Sequence, residues 1–227
     1  MTRGDYRAVI FDLDGTLIDS AADVGDAVNR VLAESGFPVH PTAAYYRFMG
    51  EGVVELMRRA LPGSARSPER IQAGVRAFFR EYEENWYHGS RPYPGIPALL
   101  DGLSERGLRF AVLSNKPHPF TRAFVDRFLP GWRFEAVLGQ RDGIPRKPDP
   151  AGAIEIADRL GLPPDAFLFL GDTPIDMKTA AAAGMLPVGA CWGFRPAREL
   201  TESGARLLVE HPIDLLDILC RPASLIV

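Results

Sequence analysis

Lysine is nearly absent from this chain. Lys116, Lys147 and Lys178 are its only three, and arginine supplies the other basic residues. Acidic groups slightly outnumber basic ones, for a formal net charge of −3 over 227 residues. A chain without a basic excess has no field to draw in a polyanion, so a nucleic-acid partner is not expected. Cysteine is scarce too: Cys191 and Cys220 stand near the C-terminus outside any Cys-x-x-Cys or Cys/His spacing. That pattern excludes a disulfide framework or a zinc motif and predicts a reducing, cytoplasmic setting. No apolar run approaches the roughly 20 residues that a spanning helix needs, so no membrane partner is expected. The opening Met1–Ile10 is polar in character and soon meets Asp12, which predicts no signal peptide. The remainder is ordinary globular composition, 46% apolar, 10% aromatic and 24% charged, and excludes disorder, collagen and coiled coil. There are no internal repeats or low-complexity stretches.

Three segments read as buried parallel strands: Ala8–Phe11, Phe110–Leu113 and Ala166–Leu170. Continuous apolar runs without alternation belong to a sheet covered on both faces. Ala136–Leu138 and Leu186–Ala190 are weaker runs of the same kind. Between them lie helical patterns over Pro97–Arg106, Phe120–Phe128 and Pro150–Leu160. Alternating strands and helices predict an α/β fold, a doubly wound parallel sheet of Rossmann-like type. From residue 18 to 87 the pattern turns helical only. Apolar stripes run through Val24, Val28, Val31 and Leu32, then Val53, Leu56, Met57, Ala60 and Leu61, then Ile71, Val75, Phe78, Phe79, Tyr82 and Trp86. Ser20 is a candidate N-cap for the first, with Asp23 three residues on. We therefore expect an α/β core from 1–17 and 88–227 and an inserted helical domain at 18–87, joined by two crossings that can hinge.

In doubly wound sheets ligands bind beyond the carboxyl ends of the strands. The first run is followed by Asp12-Leu13-Asp14-Gly15-Thr16, the second by Ser114-Asn115-Lys116, and the third by Gly171-Asp172-Thr173-Pro174-Ile175-Asp176. Arg146-Lys147-Pro148-Asp149-Pro150 precedes a helix and would reach the same edge. Asp12 and Asp14, two apart on extended chain, share a side. Asp172 and Asp176, four apart, share a face if Pro174 opens a helix. Gathered carboxylates repel unless a cation neutralises them, and hard oxygen ligands without His or Cys point to Mg²⁺ rather than zinc. Lys147 supplies a fixed cation for an anion, and Ser114 a hydroxyl. Together these form a phosphoryl-transfer site. Asp12 is the expected nucleophile, and Asp14 the group that protonates the leaving oxygen and then deprotonates water. One aspartate after a strand is ordinary turn chemistry, and one lysine in a loop is ordinary surface. Four such sets in this order are not.

These motifs resemble the haloacid dehalogenase superfamily of phosphatases: Phe11–Leu17 its first, Ser114-Asn115 its second, Lys147-Pro148 its third, and Gly171-Asp172 with Asp176 its fourth. The resemblance implies Mg²⁺ on the Asp12 carboxylate, the Asp14 backbone carbonyl and Asp172. It implies phosphate held by Thr16, Ser114, Asn115 and Lys147, with Gly171 and Asp176 in support. Longer stretches, among them Leu17–Ser20, Ser114–Pro117, Arg146–Pro150 and Val188–Phe194, resemble the phosphoglycolate phosphatase branch. That branch implies a small phosphorylated metabolite such as 2-phosphoglycolate as substrate, and a monomer or homodimer. The cap loop departs from the branch's usual Gly-Asn-Gly, reading Gly50-Glu51-Gly52. A carboxylate there repels an anionic substrate tail unless paired, and Arg47, Arg58 or Arg59 are candidates for the pairing. Arg47 and Glu51 are accordingly candidate specificity residues.

A dehalogenase of this fold lacks the second aspartate, so Asp14 opposes it. A phosphonatase needs a cap lysine, and residues 18–87 contain none. A phosphate-storing signalling receiver carries its aspartate after a later strand and has no cap. A silent scaffold would not need the full set of side chains. A sugar phosphomutase, a pyrophosphatase and a nucleotide or sugar phosphatase stay open at this stage.

Overall fold

The computed structural model of the chain describes residues 6–220. The expectations that touch residues 1–5 and the Cys220 side chain lie outside the described residues. The chain divides into two compact units. One takes the chain up to Ile18 and again from Pro92 onward, and the other is Asp19–Arg91.

The first unit opens with β1 (Ala8–Phe11), a strand with every residue buried. The chain then passes through β2 (Ile18–Asp19) into the helical unit and returns through β3 (Arg91–Pro92); β2 and β3 pair as a two-stranded ribbon. Then follow α5 (Ile96–Glu105), β4 (Arg109–Pro117), α6 (His118–Phe128), β5 (Ala136–Gln140), α7 (Ala151–Leu160), β6 (Phe167–Gly171) and α8 (Pro174–Ala182). The chain goes on through β7 (Leu186–Ala190), α9 (Ala197–Glu202), β8 (Leu207–Val209) and α10 (Asp214–Cys220). The helical unit between the ribbon strands holds α1 (Ala21–Glu34), α2 (Thr42–Phe48), α3 (Val53–Ala60) and α4 (Pro68–Asn85).

Six strands form one parallel sheet in the order β5-β4-β1-β6-β7-β8. The chain builds outward from β1 on one side through β4 and β5, then on the other through β6, β7 and β8. The topological switch therefore falls at β1, where open α/β sheets form their ligand crevice. Register brings the motif-bearing ends together: Phe11 lies beside Val112 on one side and Leu170 on the other. One face of the sheet, with Ile10, Ala111, Leu113, Leu138 and Phe169, packs on Ile156 and Leu160 of α7 and Ala180 of α8. On the opposite side of the pleat the Phe11 and Phe110 rings meet edge-on, with centroids 6.4 Å apart.

In the helical unit α1 packs on α4 and α2, and α3 packs on α4. Tyr45, Met57, Phe78 and Tyr82 are buried in it, the last two rings stacked at 4.9 Å. The short helix α2 carries no stripe long enough to be read as periodic. Ser20 precedes α1, as expected, but its side chain makes no capping bond. Asp23 has a different task. Its buried carboxylate accepts from the Gly89 and Ser90 amides, each at 2.7 Å, and from Ser90 Oγ at 2.5 Å. The carboxylate thus ties the start of α1 to the returning segment. Asp23→Ala strands these buried donors, and a charged acceptor is worth about 1.5–3 kcal/mol per bond. We expect a loss of about 3 kcal/mol, read as a lower denaturation midpoint in urea; an unchanged midpoint contradicts the assignment.

Candidate active site

The site assembles where β1, β4 and β6 end. Asp12 follows β1 directly, and its amide donates to Leu170 O of β6 at 2.9 Å. Its carboxylate is buried and lies 2.9 Å from Lys147 Nζ. Lys147 Nζ also lies 2.7 Å from Asp176 Oδ1 and donates to Leu113 O of β4 at 2.9 Å. The ammonium is therefore held between two carboxylates and a carbonyl of β4.

Asp172, one residue past β6, is fully buried. Thr16 Oγ1 donates to its Oδ1 at 2.8 Å and the Phe194 amide to its Oδ2 at 2.7 Å. Asp176 sits in the first turn of α8, where the Thr173 amide and hydroxyl donate to its Oδ2 at 3.0 and 2.6 Å. That reciprocal cap fixes the helix start and leaves Oδ1 for Lys147. The backbone at this edge is crowded. A methyl group on Gly15 or Gly193 would overlap the Asp172 carboxyl group, and one on Gly171 would overlap Asp176. Gly15 also has φ +90°, which glycine adopts without strain.

Asp12, Asp172 and Asp176 each present a carboxylate oxygen within 4.8 Å of the others, all three buried. Burial, then the Asp176 charge, push the Asp12 pKa up to about 7 against the pull of Lys147. Burial, then Asp12 and Asp176, likewise hold Asp172 well above the ordinary carboxylate value. Burial works against the Lys147 ammonium, but Asp12 and Asp176 together outweigh it and hold its pKa above the ordinary lysine value. One lysine among three carboxylates leaves an excess of negative charge in low dielectric, which a divalent cation would neutralise. The donor set is all hard oxygen and suits such an ion.

Of the remaining expected residues, Asp14, Thr16, Ser114 and Asn115 belong to the same unit. Ser114 is buried within β4, two residues past the last one that pairs with β1, and its Oγ accepts from the Lys116 amide at 3.2 Å. Asn115 Nδ2 donates to Lys147 O at 3.1 Å, and Thr16, as above, donates to Asp172. Both side chains were expected to hold phosphate; here each makes a bond within the protein. The Asp14 carboxylate is not among the clustered three. It pairs with Lys116 Nζ at 3.1 and 3.3 Å. In the helical unit, Glu51 is paired with Arg59, whose Nε also lies 2.7 Å from Glu55. Arg58 pairs with Glu55 through Nε at 2.7 Å, and the Arg47 carbonyl accepts from Arg59 at 3.3 Å. Arg59, one of the arginines offered as the counter-charge to Glu51, pairs with it.

Sequence reasoning passed over the functions of Lys116, Thr173, Trp192 and Phe194. Trp192 Nε1 donates to Thr16 O at 2.9 Å, so the segment after β7 buttresses the first motif. The stretch Val188–Phe194 was marked by resemblance alone. A backbone amide such as that of Phe194 carries no side-chain signature.

A doubly wound sheet whose carboxyl edge gathers buried carboxylates, a buried lysine and hydroxyl donors is the arrangement of an α/β enzyme that handles anionic ligands. A family model described as haloacid dehalogenase-like hydrolase matches residues 6–184, and the chain belongs to that family. Its similarity to curated relatives places it with the phosphatases of the family. It is 32% identical over 225 residues to phosphoglycolate phosphatase 1 of Pseudomonas aeruginosa, covering 97% of this chain and 82% of that protein. It is 38% identical over 194 residues to the phosphoglycolate phosphatase of Rhodospirillum rubrum, covering 83% and 80%. A solved structure from Lactobacillus delbrueckii, provisionally named a phosphoglycolate phosphatase, aligns with a TM-score of 0.88 and 29% identity. It covers 94% of this chain and 98% of its own.

Proposed function

We propose that this chain is a Mg²⁺-dependent phosphomonoester hydrolase that works through an aspartyl-phosphate on Asp12. Its substrate in this reading is 2-phosphoglycolate or a similarly small phosphorylated metabolite. The observation that carries the reading is the buried Lys147 ammonium, 2.9 Å from Asp12 and 2.7 Å from Asp176, at the edge of a three-carboxylate cluster. Positive and negative charge stand side by side there, as a phosphoryl anion and a dication require. The likeness to curated phosphoglycolate phosphatases supports the substrate class.

The Asp12 carboxylate, the Asp14 backbone carbonyl and Asp172 would hold the metal ion. When bound, it neutralises the carboxylates and the phosphoryl oxygens, so that an anionic nucleophile can approach an anionic ester. The protein's own groups do the rest. An Asp12 carboxylate oxygen bonds to phosphorus as the ester oxygen leaves. Asp14 gives that oxygen its proton. Asp14 then takes a proton from water as the water oxygen bonds to phosphorus and the Asp12–phosphorus bond breaks. Orthophosphate departs, and Asp12 is restored. Lys147 and the Ser114 hydroxyl hold the phosphoryl oxygens. Thr16 and Asn115 act through Asp172 and the Lys147 segment. In this reading the helical unit is the cap that selects the substrate, and the Arg59 pairing keeps Glu51 from repelling an acidic tail.

The test is phosphate release by purified protein across 2-phosphoglycolate, an aryl phosphate, sugar phosphates, nucleoside monophosphates and pyrophosphate. The expected result is release that stops with EDTA, returns with Mg²⁺ and is fastest on 2-phosphoglycolate. Preference for another ester overturns the substrate and keeps the chemistry. Release that is indifferent to chelation overturns the metal.

A further inference from the structure

Lysine is so rare in this chain that its placement is informative. Of the three, Lys178 is exposed, while Lys116 and Lys147 are both buried at the carboxyl edge of the sheet. Lys147 is absorbed by the proposed chemistry; Lys116 is not. Its Nζ reaches both oxygens of Asp14, at 3.1 and 3.3 Å, and lies 4.2 Å from the centroid of the Phe124 ring on α6. Its backbone is fixed on both sides: the amide donates to Ser114 Oγ at 3.2 Å, and the carbonyl accepts from Thr121 Oγ1 at 3.0 Å. A compact ammonium seated on an aromatic face has few alternative positions. Its partner inherits that fixity.

We propose that Lys116 is the positioning residue for Asp14. The proposal rests on the reading of Asp14 as the acid and base of the reaction. Asp14 stands two residues from Asp12, whose carboxylate belongs to the buried cluster. An untethered Asp14 carboxylate would be free to swing toward a cation held there, and would then be lost to proton transfer. The Lys116 pair holds it aside, in one orientation, beside the same stretch of β4 that carries Ser114. Lys116 makes no bond to the reacting atoms in this role. It acts through Asp14, and its effect follows the demand for proton transfer.

That demand is set by the leaving group. An alkyl phosphate leaves as a strongly basic alkoxide and needs the proton; an aryl phosphate with a nitro substituent scarcely does. In Lys116→Met, kcat/KM on an alkyl phosphate, which reads the steps up to the aspartyl-phosphate, is expected to fall about 100-fold, the order of a misplaced acid. On p-nitrophenyl phosphate the expected fall in kcat/KM is under about threefold, while kcat also falls to the extent that hydrolysis of the aspartyl-phosphate, which again needs Asp14, limits turnover. Asp14→Asn is expected to show the same selectivity. The double variant Lys116→Met/Asp14→Asn should be no slower than Asp14→Asn alone, because a positioning residue has nothing left to position. Lys116→Arg retains the charge and recovers most of the alkyl rate. It also keeps the test alive if the methionine variant does not fold. Equal losses of kcat/KM on both esters in Lys116→Met, or losses that multiply in the double variant, overturn the proposal. If Asp14→Asn alone shows no dependence on the leaving group, the reading of Asp14 falls first and Lys116 with it.

Discussion

Asp12→Asn is expected to abolish turnover, by at least about 10⁴-fold, without unfolding the protein. The amide cannot attack phosphorus, and no other group in the cluster replaces it: Asp172 is engaged by Thr16 and Phe194, and Asp176 by Thr173 and Lys147. Losses of this order follow removal of a nucleophile whose partners act as a unit. The folding outcome distinguishes this variant from a merely damaging one. Burial holds the Asp12 pKa up near 7, so the ionised carboxylate is disfavoured in the folded state. Its contribution to stability is greatest below pH about 4 and is lost as pH rises through 7. A neutral amide of the same size avoids that cost, and Lys147 retains Asp176 and Leu113 O as partners. The melting temperature at pH 7.5 should therefore hold or rise while phosphate release vanishes. Release near the parent rate contradicts the nucleophile assignment; a large fall in melting temperature contradicts the electrostatic account.

Lys147→Met is expected to remove both activity and stability. Methionine fills the volume, but it leaves Asp12 and Asp176 facing each other in the interior without their shared cation. Breaking a buried pair by removing one partner costs about 3–5 kcal/mol. At about 2–4 °C per kcal/mol for a chain of this size, the melting temperature measured in EDTA should fall by roughly 6–20 °C. Turnover should fall by about 10³-fold, as for loss of a transition-state cation. Adding Asp176→Asn should return part of the stability, since one of the stranded charges is then gone, and none of the activity. A single variant that melts with the parent protein would mean that Lys147 does not hold the two carboxylates together.

Much of the core was legible because burial on both faces of a parallel sheet leaves unmistakable apolar runs. Ala8–Phe11, Phe110–Leu113 and the run ending at Leu170 all lie in central strands, and the carboxylates sit where those runs stop. Elements without such a mark were missed. The ribbon strands Ile18–Asp19 and Arg91–Pro92 are two residues each, and Thr42–Phe48 is under two turns. Edge strand β8 and the small helices around it carry too few apolar positions for either period to show. Within the site, the residue types pointed to the edge but not to each other. Nothing in the spacing says that Asn115 turns to Lys147 O, or that Asp23 reaches across 67 positions to Ser90 instead of completing a cap. Those pairings are products of tertiary packing. The rarity of lysine was the one compositional trace of the Lys116–Asp14 pair.

The central claim is that the phosphoryl group rests on Asp12 between two displacements. The most direct measurement is the stereochemical course at phosphorus, with a phosphorothioate ester made chiral by sulfur and two oxygen isotopes and hydrolysed in water carrying the third, so that the released thiophosphate is itself chiral. Two in-line displacements invert the centre twice, so the expected result is net retention. Net inversion would mean that water attacks the ester directly, and would contradict the covalent role of Asp12.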